Sequence, residues 1–149
     1  MRKIIILLIT TVLSVQLYGQ RQLTANQQAV QQTVIKLFNA LSSRDSISLK
    51  AACTSDLTLY EYGQVWNIDT LILKAITLNP SSDFERTNSF DFINTTLDKT
   101  MAWVTYRLQS SITRDGKQTT MQWLETVVLV KERKLWKIKH LHSTRIKRS

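Results

Sequence analysis

Three predicted strands in the second half of the chain carry the side chains best suited to chemistry. Arg107 stands on one strand, Glu125 on the next, and His140 and His142 alternate along the last. A guanidinium binds carboxylates through paired hydrogen bonds, whereas glutamate and histidine are common general acids and bases. Two histidines without a third ligand do not make a metal site, so we expect neither a metal nor another cofactor.

The turn between the first two of these strands decides which side chains meet. The Asp-Gly pair ending at Gly116 is a strong hairpin signal, and a three-residue loop there gives a register with one almost wholly apolar surface. In that register Arg107 lies opposite Glu125 as a cross-strand ion pair. Trp103 and Trp123 share this polar surface, which we expect to line a cavity. The opposite surface carries apolar pairs, namely Val104 with Val128 and Leu108 with Leu124.

The second turn leaves the facing of the two histidines open. A two-residue loop at Glu132-Arg133 puts His140 opposite Glu125 and His142 opposite Trp123. A loop one residue longer moves both histidines to the other surface. As an alternative to a functional role, both histidines can be read as structural residues that form hydrogen bonds. The corresponding alternative for Arg107 and Glu125 is a structural ion pair.

Two candidate sets follow from these considerations. The residues expected to bind a ligand are Arg107, Glu125, Trp103, Trp123, Tyr60 and His142. The catalytic candidates are His140, His142 and Glu125.

The elements that must position these residues are helices followed mainly by strands. Apolar residues at helical spacing predict a first helix with Asn26 as N-cap, running through Leu41, a second over 47–52 and a third over 68–78. A strand is predicted over 57–62, and four long β-rich runs over 86–97, 100–113, 118–131 and 134–146. This order indicates an α+β fold in which N-terminal helices pack into a strongly curved antiparallel sheet.

The first residues have the features of an export signal. Two basic residues precede an apolar run from Ile4 to Val15, which is too short to span a membrane, and Gly19 offers a small residue for cleavage. We expect residues 1–19 to be a signal peptide and residues 20–149 to form a single domain, periplasmic or secreted. One cysteine, Cys53, excludes an internal disulfide, and its apolar surroundings predict burial.

The net charge of +9 is concentrated at the C-terminus. Residues 131–149 contain eight basic residues against one acid, Glu132. Such a basic tail could make weak contact with an anionic membrane surface, although a solvated strand face and a soluble tail are the simpler interpretation. Nucleic acid is not expected as a partner of an exported protein.

One segment carries a family resemblance in its residues and their spacing. The segment consists of Ala102–Leu108, the Asp-Gly turn, Glu125-Thr126, Trp136, His140, His142 and Ser143. It resembles the nuclear transport factor 2-like superfamily, in particular its SnoaL-like and DUF4440 branch and the association domain of calcium/calmodulin-dependent kinase II. The resemblance implies a cone-shaped fold with a cavity at its open end, and dimerisation.

The resemblance also implies roles for individual residues. In the association domain the arginine that matches Arg107 lines a pocket for small carboxylates, whereas Val127 stands where that domain has a second pocket arginine. Enzymes of the superfamily place an Asp or His base and Tyr or Asp donors in the cavity. This chain has Phe38 where a donor is needed, and Tyr106 falls on the apolar surface of the predicted hairpin. The catalytic set is therefore incomplete.

Three functions agree with these observations. We favour an exported, non-catalytic domain, expected to be a homodimer, whose cavity accepts a small carboxylate or another polar organic ligand, because the polar set is sparse for catalysis. The first alternative is a small cofactor-free enzyme of isomerase, dehydratase or cyclase type that uses His142 or His140 with Glu125. The second is a protein-interaction module that acts through the apolar sheet face or the basic tail.

Overall fold

The computed structural model describes residues 22–78 and 80–146. The expected signal peptide and the last three residues of the basic tail lie outside the described residues. Among the residues that are described, no helix is both long and apolar enough to cross a membrane.

Helix α1 (Ala25–Ser42) is the main helical element, and it begins earlier than predicted. Thr24 is its N-cap and forms a capping box with Gln27, in which each side chain accepts from the other residue's backbone N–H. The predicted cap at Asn26 is therefore wrong, because the Thr-x-x-Gln spacing outweighs the asparagine that lies inside it. The side of α1 that faces the sheet buries Val30, Val34, Leu37, Phe38 and Leu41.

Two shorter helices follow at the predicted places. Helix α2 (Ser46–Ala52) begins at Asp45, whose carboxylate accepts hydrogen bonds from two backbone N–H groups of the first turn. Helix α3 (Ile68–Ile72) is capped by the Asn67 side chain and continues as a π-helical turn over Leu73–Thr77.

Six strands form one curled, unclosed sheet in the order β2-β1-β6-β5-β4-β3. Strands β1 and β6 are parallel, and every other neighbouring pair is antiparallel. The predicted α+β class is confirmed, and the short strand β2 is an addition to the predicted elements. The strands are β1 (Cys53–Glu61), β2 (Gln64–Trp66), β3 (Glu85–Leu97), β4 (Met101–Arg114), β5 (Lys117–Glu132) and β6 (Leu135–Ile146).

The β4–β5 hairpin has a different register from the predicted one. Asp115 and Gly116 both have positive φ angles, 51° and 71°, as the two central residues of a type I′ turn require. This two-residue loop pairs Tyr106 with Glu125, and Arg107 with Leu124. The predicted Arg107–Glu125 pairing is wrong, because the turn geometry sets the register and the apolar pattern of this hairpin does not.

The β5–β6 turn also differs from the prediction. Its two central residues are Arg133 and Lys134, with φ angles of 47° and 73°, and a bulge interrupts the pairing near Val128. Together these features place His140 and His142 on the sheet face that points away from α1, which we call the outer face. Neither predicted loop forms, but both histidines lie on the face away from Glu125, as the longer-loop alternative implies.

The core lies between α1 and the opposite sheet face, which we call the inner face. Each fully buried aliphatic side chain there contributes about 1.5–3 kcal/mol. Cys53, at the start of β1, is buried as predicted. Burial raises the pKa of its thiol to about 12, so it behaves as a small apolar residue. The fully buried members from the sheet include Val104, Leu108, Val127, Leu129 and Ile138.

Candidate functional site

A cavity of about 230 Å³ opens between α1, α3 and the inner face of the sheet. Most of its wall is apolar or aromatic, as is usual for sites that bind small organic molecules. The wall also contains four side chains of the acidic and basic types, Glu61, Arg86, Arg114 and Glu125. The apolar wall includes Leu37, Phe38, Leu41, Trp66, Leu108 and Trp123.

A line of polar side chains crosses the inner face from strand to strand. Glu125 is paired with Tyr106 on β4 and with Ser143 on β6. Tyr60 pairs with His142 in the parallel β1–β6 ladder, so the next residue of β1, Glu61, comes beside Ser143. We call Glu61, Ser143, Glu125 and Tyr106 the polar row.

Glu125 is the most deeply buried acid of the cavity, with 4% of its surface exposed. The Ser143 hydroxyl donates a hydrogen bond to Glu125 Oε1 over 2.9 Å. Burial raises the pKa of Glu125 to about 7; the Glu61 carboxylate adds to this shift, while Tyr106, Ser143 and Arg86 oppose it. A carboxyl group with a pKa near neutrality can both accept and donate a proton at physiological pH.

Tyr106 is the cross-strand partner of Glu125 on the inner face of the sheet. Its side chain is fully buried, and burial raises the pKa of its phenol well above the ordinary value, with Glu125 adding to the shift. The Tyr106 phenol acts on the Glu125 carboxyl as a hydrogen-bond donor and favours its ionised form. Buried polar atoms are nearly always hydrogen-bonded, and in this pair the phenol and the carboxyl interact with each other.

Arg86 brings a positive charge to the cavity from β3. Its Nε donates to Asn88 Oδ1 over 2.9 Å and its Nη2 donates to Ser110 Oγ over 3.0 Å. The guanidinium also lies over the rings of Phe38 and Trp123, 5.4 and 6.0 Å from their centroids. Burial lowers the pKa of Arg86 and Glu125 raises it, and an arginine stays protonated in either case.

Glu61 ends β1 at the rim of the cavity and is partly buried. Burial raises the pKa of Glu61 above its ordinary value. The groups that oppose this shift are Ser143, Trp123, Arg145 and Arg86. The rim and the floor of the cavity therefore each hold a carboxyl group for which the neutral form is favoured by burial.

The structure places Arg107 on the outer face, where it pairs with Asp91 over 3.2 Å in solvent. Trp103 is also on the outer face, with 44% of its surface exposed. Of the residues expected to bind a ligand, Glu125 and Trp123 line the cavity, whereas Arg107 and Trp103 do not. The ligand-binding roles of these four side chains stay predictions.

Tyr60, His140 and His142 form a separate aromatic cluster on the outer face. The Tyr60 ring lies 4.7 Å from that of His140 and 5.9 Å from that of His142, in edge-to-face contacts. The His140 Nδ1 and the Thr58 hydroxyl are 2.7 Å apart, and burial lowers the pKa of His140, with His142 adding to the shift. The cluster does not approach Glu125, so the predicted combination of a histidine with Glu125 does not form.

Sequence reasoning missed Glu61, Arg86 and the inner position of Tyr106. Glu61 is the next-to-last residue of the predicted strand over 57–62, and Arg86 is the first residue of the next predicted strand, but neither position carries a motif. Ser143 was part of the family resemblance without a role attached. Within residues 22–78 and 80–146, no group of three or more potential metal ligands is found.

A model of the SnoaL-like domain family matches residues 30–146. Several solved structures have a similar fold at low sequence identity. A ketosteroid isomerase-like protein from Erwinia carotovora atroseptica SCRI1043 is 16% identical, with a TM-score of 0.67, over 85% of this chain and 100% of that one. The association domain of C. elegans CaMKII is 19% identical, with a TM-score of 0.63, over 80% and 95%.

An NTF2-like protein from Cytophaga hutchinsonii ATCC 33406 is 16% identical, with a TM-score of 0.68, and the match covers 83% of this chain and 100% of that one. No functionally curated protein matches the chain significantly. Identities this low show a shared fold and no more.

Proposed function

The chain belongs to the SnoaL-like domain family, as its resemblance to the nuclear transport factor 2-like superfamily predicts, and we propose that its cavity binds a small organic acid. The carboxylate of this ligand lies against Arg86, and its apolar part fills the space between Phe38, Trp66 and Trp123. A cavity of about 230 Å³ suits a compact ligand. The proposal keeps the expected carboxylate ligand but moves its anchor from Arg107 to Arg86.

The surroundings of Arg86 carry this proposal. Two neutral side chains, Asn88 and Ser110, hold its guanidinium in place, and Asn88 is itself held by a hydrogen bond to Ser42 on α1. Among the described residues, no carboxylate lies within salt-bridge distance of Arg86. A partly buried, preorganised guanidinium binds an anion with little cost in side-chain entropy.

Glu125 makes the preference for an acid depend on pH. An anion beside Arg86 is repelled by an ionised Glu125 and tolerated by a neutral one. Since the pKa of Glu125 is already about 7, the neutral form is available under physiological conditions. We therefore expect the affinity for an organic acid to rise as the pH falls through neutrality.

Thermal unfolding with a panel of small monocarboxylic acids tests the proposal. An acid that binds only the folded protein adds about 2.7 kcal/mol of stability at a hundred times its dissociation constant. We expect this shift in the wild type and in Arg107→Gln, and we expect its loss in Arg86→Gln. The two variants remove the same charge from opposite faces of the sheet. A shift that survives in Arg86→Gln contradicts the proposal.

Proton transfer is a second candidate function, and the position of Glu125 in the cavity wall favours it. A general base needs a pKa near neutrality, and burial gives Glu125 a pKa of about 7. Glu125 and Tyr106 would then replace the histidine pair as catalytic candidates. The test is deuterium uptake from D₂O at the α-carbon of a bound acid, which Glu125→Gln should abolish without preventing binding. Absence of uptake in the wild type leaves a non-catalytic binding domain.

We propose that copies of this chain associate with one another through the outer face. Trp103 and Leu124 are large side chains left exposed there, and apolar patches of this kind often mark subunit contacts. Analytical ultracentrifugation of the wild type and of Trp103→Ser tests it; a monomeric wild type contradicts it.

The proposal that the protein is exported is based only on the signal-like sequence of residues 1–19. The proposal of membrane contact is based only on the basic C-terminal residues. Both remain proposals. Cell fractionation tests export, and cosedimentation with anionic vesicles tests the tail. A protein retained in the cytoplasm with its N-terminus uncleaved contradicts export.

A further inference from the structure

We propose that Glu61, Ser143 and Glu125 form a proton relay: the two carboxyl groups share one proton, which passes between the rim and the floor of the cavity through the Ser143 hydroxyl. The relay rests on the proposed function in one respect: we expect a ligand bound in the cavity to exchange this proton with Glu125. The sharing and passage of the proton can be measured with the cavity empty of ligand, so the two proposals can fail separately.

The positions of the three residues carry the inference. Neighbouring strands β1, β6 and β5 place their side chains in one line across the inner face, with the serine in the middle. The Ser143 hydroxyl already donates to Glu125 Oε1 over 2.9 Å, and it acts on the Glu61 carboxyl as well. A hydroxyl can donate one hydrogen bond while accepting another, so Ser143 is suited to connect two carboxyl groups.

The charges around the row favour a single proton on the pair. Arg86 faces both carboxyl groups from β3, Arg145 acts on Glu61 from β6, and Tyr106 adds a neutral phenol from β4. The α1 side of the cavity contributes only Leu37, Phe38 and Leu41, which carry no charge. Two ionised carboxylates in this partly dry space repel each other, and holding one proton between them relieves that repulsion.

The transfer balances without any other reactant. At the start Glu61 is a neutral acid, and Ser143 donates its hydrogen to the Glu125 carboxylate. Glu61 then gives its proton to Ser143 Oγ while the original serine hydrogen passes to Glu125 Oε1. At the end Glu61 is a carboxylate, Glu125 is a neutral acid, and Ser143 is again a neutral hydroxyl with its hydrogen bond reversed.

Glu61 and Glu125 differ in solvent exposure, and this difference suggests what the relay does. Glu61 is partly exposed at the rim, whereas Glu125 is almost completely buried. A ligand that fills the cavity separates Glu125 from bulk water and leaves Glu61 in contact with it. The relay therefore allows the proton on Glu125 to be replaced while the ligand is in place.

Carbon-13 NMR of the side-chain carboxyl groups tests whether the proton is shared. The sequence contains four glutamates, so labelled glutamate gives four carboxyl signals, and the exposed Glu85 and Glu132 provide reference signals. In the wild type we expect the signals of Glu61 and Glu125 to follow the same two titration steps. Glu61→Gln should leave a single step for Glu125, at lower pH by about half a unit or more, because a like charge has gone.

A pH jump followed by infrared absorption of the protonated carboxyl group tests whether the proton passes through Ser143. When the pH falls to just below the pKa of Glu125, we expect Ser143→Ala to slow protonation of Glu125 about tenfold or more. Ser143→Thr keeps a hydroxyl and should retain the wild-type rate. Glu132→Gln is the matched control for loss of an exposed glutamate and should change neither measurement.

Each result decides the question for variants whose backbone NMR spectra show the wild-type fold. Independent single-step curves for Glu61 and Glu125 in the wild type overturn the shared proton. An unchanged protonation rate in Ser143→Ala overturns the passage through the serine. Coupled curves together with a slow alanine variant and a fast threonine variant support the relay, whether or not any organic acid binds.

Discussion

The two faces of the sheet formed by β3, β4 and β5 carry similar residue types in opposite surroundings. On the outer face, Arg107 and Asp91 form an ion pair with both side chains in solvent. On the inner face, Arg86 and Glu125 influence each other electrostatically inside a mostly apolar cavity, without a salt bridge between them. Water screens the outer charges, whereas on the inner face burial shifts the pKa of the acid to about 7.

This comparison shows that burial, rather than residue type, decides where the chemistry of this chain lies. An arginine and a carboxylate are available on both faces. Each pair lies beside a pocket, but only the inner pair is largely buried and is accompanied by a buried phenol and a second carboxyl group. Substitutions on the two faces test this contrast.

The largest contrast is expected between two leucines that the predicted register placed on the same face. Leu108 is on the inner face and 1% exposed, whereas Leu124 is on the outer face and 41% exposed. Leu108→Ala should lower the free energy of unfolding by about 3 kcal/mol, and Leu124→Ala by less than about 1 kcal/mol. Urea denaturation of both variants measures this. Equal losses would mean that the observed register is wrong.

Glu125→Gln should remove a pH dependence of stability that belongs to the inner face. The folded-state pKa of Glu125 is raised from 4.5 to about 7, so its contribution to stability is complete below about pH 4.5 and is lost as the pH rises through 7. Above neutrality the wild type therefore loses roughly 2–3 kcal/mol relative to acid conditions.

Glutamine keeps the shape and can accept the Ser143 hydrogen bond. The variant should therefore be more stable than the wild type in alkaline solution and similar to it in acid. Denaturation at several pH values measures this difference. A variant that is less stable than the wild type at every pH contradicts the assignment.

Tyr106→Phe should have a smaller effect on stability and a clear effect on Glu125. Removal of the buried phenol takes away its hydrogen-bond interaction with the Glu125 carboxyl, so the free energy of unfolding should fall by about 1–2 kcal/mol. Because Tyr106 favours the ionised form of Glu125, the variant should raise the pKa of that carboxyl. NMR titration measures the shift, and a lower pKa contradicts the arrangement.

Asp91→Asn should have the smallest effect. It breaks the exposed pair with Arg107, and such pairs contribute well below about 1 kcal/mol and are screened by salt. Denaturation at low and high ionic strength should give nearly equal values for variant and wild type. A loss above about 2 kcal/mol would show that this ion pair is structural.

Much of the fold follows from the sequence, because long periodic segments specify their own elements. The first helix, the four long strands and the α+β order are confirmed, as is the family resemblance. The burial of Cys53 also follows from its apolar neighbours. These features depend on local patterns that extend over many residues.

The site follows from the sequence only in part, because a single residue of register changes the face of every side chain in a strand. The apolar pattern of the hairpin favoured a register that kept Glu125 with Arg107. The structure instead buries Glu125, Tyr106 and Ser143 together, and the hydrogen bond from Ser143 offsets part of the cost of burial. Arg86 and Glu61 come from strands far apart in the chain, and only the tertiary fold brings them together.

The indole N–H signals of two tryptophans show whether an organic acid binds in the inner cavity or on the outer face. Trp123 lines the cavity on the inner face, and Trp103 lies exposed on the outer face. Nitrogen-15 NMR can follow both signals while the best acid from the thermal panel is added. If the acid binds in the cavity, we expect the Trp123 signal to shift until the site is saturated with acid and the Trp103 signal to stay in place. A saturating shift of Trp103 with no change at Trp123 would place the ligand on the outer face and contradict binding in the cavity.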